Sequence, residues 1–181
     1  RADRETGQLS ARFRLAANWA HTLVATDGSL ITAVGGDDAV NMDGRMIQIG
    51  PATGVVSQIG VPTRSFTPMP VLWRGDVWLS TDQGFVRFEP IAAGFSGPPV
   101  TLGPRFRACC GFVEADSRGM WFLSPDPDRR TGQLLQVFDP DTGESRELAT
   151  LDEGTPVAMA VEPDALWILN YEGTLTQVRL G

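Results

Sequence analysis

Short apolar runs alternate with turn residues along the whole chain. The run Leu166-Trp167-Ile168-Leu169 has counterparts in Val77-Trp78-Leu79, Met120-Trp121-Phe122 and, with Ile in place of Trp, Leu30-Ile31-Thr32. Each follows a turn: Asp27-Gly28, Arg74-Gly75, Ser117-Arg118-Gly119 and Pro163-Asp164. Each leads through a second turn into another apolar strand. Ile31, Trp78, Trp121 and Trp167 follow one another at intervals of 47, 43 and 46 residues. A repeat of this length, built only from short strands, predicts an all-β β-propeller of four blade-repeats, each a four-stranded antiparallel sheet.

The repeats run over about 15–60, 61–104, 105–151 and 152–181 within a single domain. The first blade is expected to hold strands at Thr22–Ala25, Leu30–Val34, Arg45–Ile49 and Val55–Ile59. The third is expected at Gly111–Glu114, Met120–Leu123, Leu134–Phe138 and Ser145–Leu148. The fourth has only three strands before the chain ends, and the N-terminus supplies a spare one at 8–14. The stretch Thr6-Gly7 ahead of it matches Thr142-Gly143 and Thr53-Gly54, each a tight turn into an outer strand. Two closures follow. The spare strand completes the fourth blade of a four-blade ring, or it belongs to an earlier blade of a larger ring. An open fragment would leave unpaired edges that invite association. The chain begins at Arg1, inside a repeat, so it reads as a piece of something longer.

Trp78, Trp121 and Trp167 fall on second strands, where their first expected role is packing between sheets. In the last strand, Leu175, Val178 and Leu180 are the expected inward side chains, after a local irregularity.

The segment from Ala165 to Asn170, the Gly173-Thr174-Leu175 hairpin and the Asp139-Pro140-Asp141-Thr142-Gly143 step together resemble the bacterial propeller repeats of the virginiamycin B lyase-like, YVTN and NHL groups. That resemblance implies a fold rather than an activity. The lyase of this group is expected to use a histidine, acidic residues and magnesium. Only His21 is available here, and no other position matches the catalytic motif, so the activity does not carry over.

Composition narrows the field. A net charge of −7 argues against a nucleic-acid surface, which needs clustered positive charge. All 15 cations are arginine, so lysine Schiff-base chemistry is excluded. No apolar run approaches the 18 residues or so of a membrane-spanning helix. Cys109 and Cys110 are adjacent, which suits neither a disulfide framework nor a zinc site.

Candidate chemistry sits in the loops that join fourth to first and second to third strands, which emerge on one face. There we expect a ligand site built from Trp19, His21, Asp37, Asp38, Arg64 and Arg107. The hairpin Gly35–Gly44 could wrap a hard cation through Asp37, Asp38, Asn41 and Asp43, or be a solvated turn; it lacks the distal Glu of a calcium loop. The hairpin with Asp126, Asp128, Arg129 and Arg130 reads as an exposed, charge-compensated loop. No nucleophile elbow, phosphate loop or dinucleotide motif is present.

Three readings result. The leading one is a non-catalytic bacterial binding or sensor module outside the cytoplasm, without a cofactor, offering one face to a protein or small-molecule ligand. The second is a lyase or hydrolase using His21 with Asp37 or Asp38 and a divalent cation. The third is a self-associating scaffold, a homo-oligomer formed through an open edge.

Overall fold

A computed structural model describes residues 19–26, 28–35, 45–50, 52–53, 55–59, 69–81, 84–89, 94–101, 112–129, 131–151 and 154–180. The described residues form four antiparallel sheets and no helix. Blade 1 is β1 (Trp19–Thr26), β2 (Ser29–Gly35), β3 (Arg45–Ile49) and β4 (Val56–Ile59). Blade 2 is β5 (Met69–Trp73), β6 (Asp76–Thr81), β7 (Gly84–Glu89) and β8 (Gly94–Thr101). Blade 3 is β9 (Val113–Asp116), β10 (Gly119–Pro125), β11 (Gln133–Asp139) and β12 (Glu144–Leu151). Blade 4 is β13 (Pro156–Val161), β14 (Ala165–Asn170) and β15 (Leu175–Arg179). Strands pair in chain order within every sheet. The first strands β1, β5, β9 and β13 lie side by side in succession. The outer strand expected at 8–14 lies outside the described residues.

Alternation along second strands builds the seams. Val77 and Leu79 face blade 1, while Trp78 faces blade 3. Met120 and Phe122 face blade 2, while Trp121 and Leu123 face blade 4. The seam of blades 2 and 3 centres on Phe85, stacked on Phe138 at 5.1 Å and edge-on to Phe122 at 5.4 Å. Trp167 occupies the same register position as Trp121 but points away from blade 3 and is only half-buried. Among the described residues, sheet-to-sheet core is therefore the role of Trp78 and Trp121, not of Trp167.

Three other expectations shift. The first strand of blade 1 is longer than Thr22–Ala25 and contains His21 rather than following it. The first strand of blade 3 is Val113–Asp116, two residues later than expected. In β15 it is Thr176 and Val178 that turn inward, while Leu175 is 58% exposed. Pairing with β14 runs without interruption, so strict alternation back from Val178 places Thr176 on the packed face.

The tryptophans carry a second regularity. Trp121 Nε1 donates to Asp116 Oδ1 at 3.0 Å, and Trp167 Nε1 donates to Glu162 Oε2 at 3.3 Å. Both acceptors lie five residues earlier, Asp116 as the last residue of β9 and Glu162 just past the end of β13. In blade 2 that position is Trp73, and the buried Trp78 Nε1 has no acceptor among the described residues. Trp73 instead donates forward to the Asp116 carbonyl at 3.0 Å. The two indoles should respond differently to loss of the N–H. Trp121→Phe should cost about 1–2 kcal/mol more than Trp78→Phe, because only the former breaks a hydrogen bond to a carboxylate. Denaturant unfolding of the two variants measures the difference.

Candidate functional site

In antiparallel blades joined in chain order, the connections segregate to two ends. The tight turns from first to second strand gather at one end, with the third-to-fourth turns. The second-to-third hairpins and the crossings between blades gather at the other, which we call the loop end.

At the turn end, arginines link consecutive blades. Arg74, at φ +48° in the two-residue turn of blade 2, donates to Asp141 Oδ2 at 2.6 Å and to the Ser117 carbonyl at 3.2 Å, both in blade 3. Arg118, in the equivalent turn of blade 3, donates to the Pro163 and Glu162 carbonyls of blade 4, each at 2.9 Å. Its Nε also donates to Asp116 Oδ2 at 2.7 Å, and its guanidinium lies 4.9 Å from the centre of the Trp121 ring. Burial would raise the Asp116 pKa, but hydrogen bonds from Arg118, from Trp121 and from the Arg118 backbone N–H outweigh it and hold the carboxyl below its usual range. Ionised Asp116 therefore stabilises the fold above the ordinary carboxylate range, and that contribution is lost as pH falls through its lowered folded pKa.

Glu114, on the same strand and opposite Trp121, shifts the other way. Burial raises its pKa, so its ionised form costs stability at neutral pH. Above both its folded and unfolded pKa values that cost is full, and below both it vanishes. Glu114→Gln should be more stable than the parent at pH 7, with the gap closing near about pH 4. Urea melts at the two pH values read it directly.

At the loop end, a cleft of about 310 Å³ opens between blades 3 and 4. Leu123 and Ile168 form an apolar floor from the two second strands, and Pro156 adds one wall. Gln133 and Thr176 bring an amide and a hydroxyl group from β11 and β15, while Thr150, at the rim, pairs with Leu134 on the other face of blade 3. Among the described residues the Gln133 and Thr176 side chains have no hydrogen-bond partner. The crossing from blade 3 to blade 4 holds Gly154 at φ +110° against Asn170; a Cβ there would lie 2.7 Å from the Asn170 Cγ. This contact shapes the mouth of the cleft.

Beside it, the hairpin from Asp126 closes on itself. Asp126 Oδ1 accepts the Asp128 N–H at 2.9 Å, and Arg129 Nε lies 3.7 Å from Asp126 Oδ2. Charge compensation within this loop is as expected, although Asp126 itself is buried rather than exposed.

Of the expected site residues, the structure places Trp19 and His21. Both lie on β1 toward the loop end, where Trp19 pairs with Gly35 and a register shift between Ala20 and Leu23 puts His21 in a bulge. Asp37, Asp38, Arg64 and Arg107 lie outside the described residues. Sequence reasoning named none of Gln133, Thr150 and Thr176. Their common feature, a neutral polar residue next to a strand end, has no distinctive spacing. Among the described residues no three His, Cys, Asp or Glu side chains group to hold a metal ion.

No protein-family model matches the chain, and no curated protein matches it. Solved structures do. The computationally designed Ika4 protein aligns over 97% of this chain and 99% of its own, with a TM-score of 0.62 at 13% identity. An oligogalacturonate lyase from Vibrio parahaemolyticus aligns over 97% of this chain, with a TM-score of 0.55 at 14% identity. The chain folds as a β-propeller. An auxiliary nutrient binding protein from Bacteroides ovatus aligns over 91% of it, with a TM-score of 0.55 at 7% identity. The propeller spans only 58% of that lyase and 48% of that binding protein. At such identities the likeness is one of fold, and the fold is shared by a lyase and a binding protein. No described helix is long and apolar enough to cross a membrane.

Proposed function

We propose that this propeller is a non-catalytic binding module whose loop end takes a neutral, hydroxyl-rich small molecule in the cleft between blades 3 and 4. The observation that carries this reading is the pair of polar groups of Gln133 and Thr176, unpaired among the described residues, over the Leu123 and Ile168 floor. Apolar walls with a few convergent polar groups are what orient a small ligand. A carbohydrate-like molecule offers the complement: hydroxyls for the amide and hydroxyl groups, C–H faces for the floor. The absence of charge from these two polar groups favours a neutral ligand, because an ion would leave its own solvation unreplaced. The solved binding protein of similar fold is consistent with such a role.

Titration calorimetry against a panel of neutral mono- and oligosaccharides tests the proposal. A binder is expected, with Gln133→Leu and Thr176→Val each weakening it by about tenfold while the melting temperature holds. Binding that is indifferent to both substitutions, or no binding across the panel, overturns it.

A further inference from the structure

We infer a second, separate site, for a small neutral ring bearing an amide edge, at the turn end of the seam between blades 1 and 2. In the other two seams an arginine bridges that end: Arg74 reaches blade 3 and Arg118 reaches blade 4. The corresponding turn of blade 1 is Asp27-Gly28, which carries no arginine. A cleft of about 460 Å³ lies there, within the roughly 300–1,000 Å³ of small-molecule sites.

Strand pairing turns the lining side chains toward one another. Ile31 belongs to the packed seam of blades 1 and 2, and Val24 and Gln48 pair with it from β1 and β3. Alternation then puts Ser29 on that same face, together with its partner Thr26. From blade 2, Leu72 pairs with Val77 of this seam, and Phe88 belongs to the seam itself. Leu72, 41% exposed, is the apolar wall most open to solvent. None of the lining residues is charged. Nearby, Arg74 bonds Asp141 and the Ser117 carbonyl of blade 3, and Arg87, which pairs with Trp78 on the blade 3 side, meets Asp76 at 3.5 Å.

Gln48 Nε2 donates to Ser29 Oγ at 2.6 Å, and neither side chain has another polar contact among the described residues. Ser29 thus keeps an O–H donor and Gln48 a carbonyl acceptor, side by side on the cleft. Turning the amide over exchanges the roles and still leaves one donor beside one acceptor. Blade 3 supplies the contrast. There Gln136 Nε2 donates to Ser124 Oγ at 2.7 Å, but both residues are buried and the pair serves the core. In blade 1 both partners are only half-buried and line open space. A donor beside an acceptor complements the adjacent C=O and N–H of a lactam, so each group gains a partner on binding. The ring itself lies against Leu72 and Ile31. A charged ligand would meet no countercharge among the lining residues. This cleft shares no lining residue with the loop-end cleft of blades 3 and 4, and neither assignment depends on the other.

Two-dimensional NMR of the full chain with α-pyridone and its N-methyl derivative as probes tests the inference. α-Pyridone should shift the amides of Ser29, Gln48, Leu72 and Gly75 and leave those of Gln133 and Thr176 in place. Methylation removes the ligand's donor and should weaken binding about tenfold, as should Ser29→Ala and Gln48→Met in the protein. Ser29→Ala removes only a hydroxyl beside a turn, and the spectra of the free variants show that the fold survives. Absence of shifts at these four amides, or undiminished binding in both variants, overturns the site. Equal affinities for the two probes overturn the pairing of the amide edge with Ser29 and Gln48.

Discussion

Phe85→Ala should destabilise the protein by about 3–5 kcal/mol, among the largest single side-chain effects in the molecule. Phe85 is fully buried and touches both Phe122 and Phe138, so its ring belongs to two sheets at once. Removing it loses the transfer free energy of the ring and leaves a cavity between stacked sheets. The backbones of β7, β10 and β11 are fixed by their own ladders, so the cavity cannot collapse. At about 2–4 °C per kcal/mol for a domain of this size, the melting temperature should fall by about 10 °C or more. Phe85→Leu keeps most of the volume and should cost less than half as much. A calorimetric melt of the two variants checks both statements; a Phe85→Ala melting point within two or three degrees of the parent would mean blades 2 and 3 are not packed as described.

Gly119→Ala should be of comparable severity for a different reason. Gly119 opens β10 at φ +145°, a conformation that side chains rarely adopt. A Cβ there would overlap the Phe138 carbonyl oxygen and crowd the Val137 Cγ2 at 3.1 Å. The obstacle is backbone of the paired strand, so no rotamer change relieves it. Either β10 and β11 separate where Met120 pairs with Phe138, or the turn carrying Arg118 moves away from blade 4. A loss of about 3 kcal/mol or more is expected. Gly143→Ala is the control. Gly143 also has positive φ, +74°, but nothing lies within 4 Å of its would-be Cβ, so it should cost only about 1 kcal/mol. Equal melting temperatures for the two variants would contradict the close approach of β10 to β11.

Much of this architecture was legible in the sequence because one feature repeats. Ile31, Trp78, Trp121 and Trp167 recur with a blade-length period, and the structure places all of them on second strands in equivalent registers. Strand limits were less legible. Neither His21 nor the start of β9 has a local breaker that marks the boundary, and cross-strand pairing decides it. Leu175 illustrates the same point: its hydrophobicity suggested burial, but register assigned that face to Thr176. The carboxylate five residues before Trp121 and Trp167 was readable as a spacing, and it becomes meaningful once Trp73 is seen to break it. The loop-end cleft was not readable. It is assembled across a seam, from residues such as Gln133 and Thr176 that are far apart in the chain and ordinary in type. The residues that did look functional in isolation gathered in long loops, and of these the structure positions only the backbone of Trp19 and His21 on a strand.

We propose the loop end of the blade 3–4 seam as the ligand-binding site of this propeller. Amide chemical-shift mapping during titration with the best neutral saccharide tests it most directly. The claim predicts saturable shifts concentrated at Leu123, Gln133, Thr150, Gly154, Ile168 and Thr176. Shifts confined to blades 1 and 2, or to the turn end around Arg118, would contradict it.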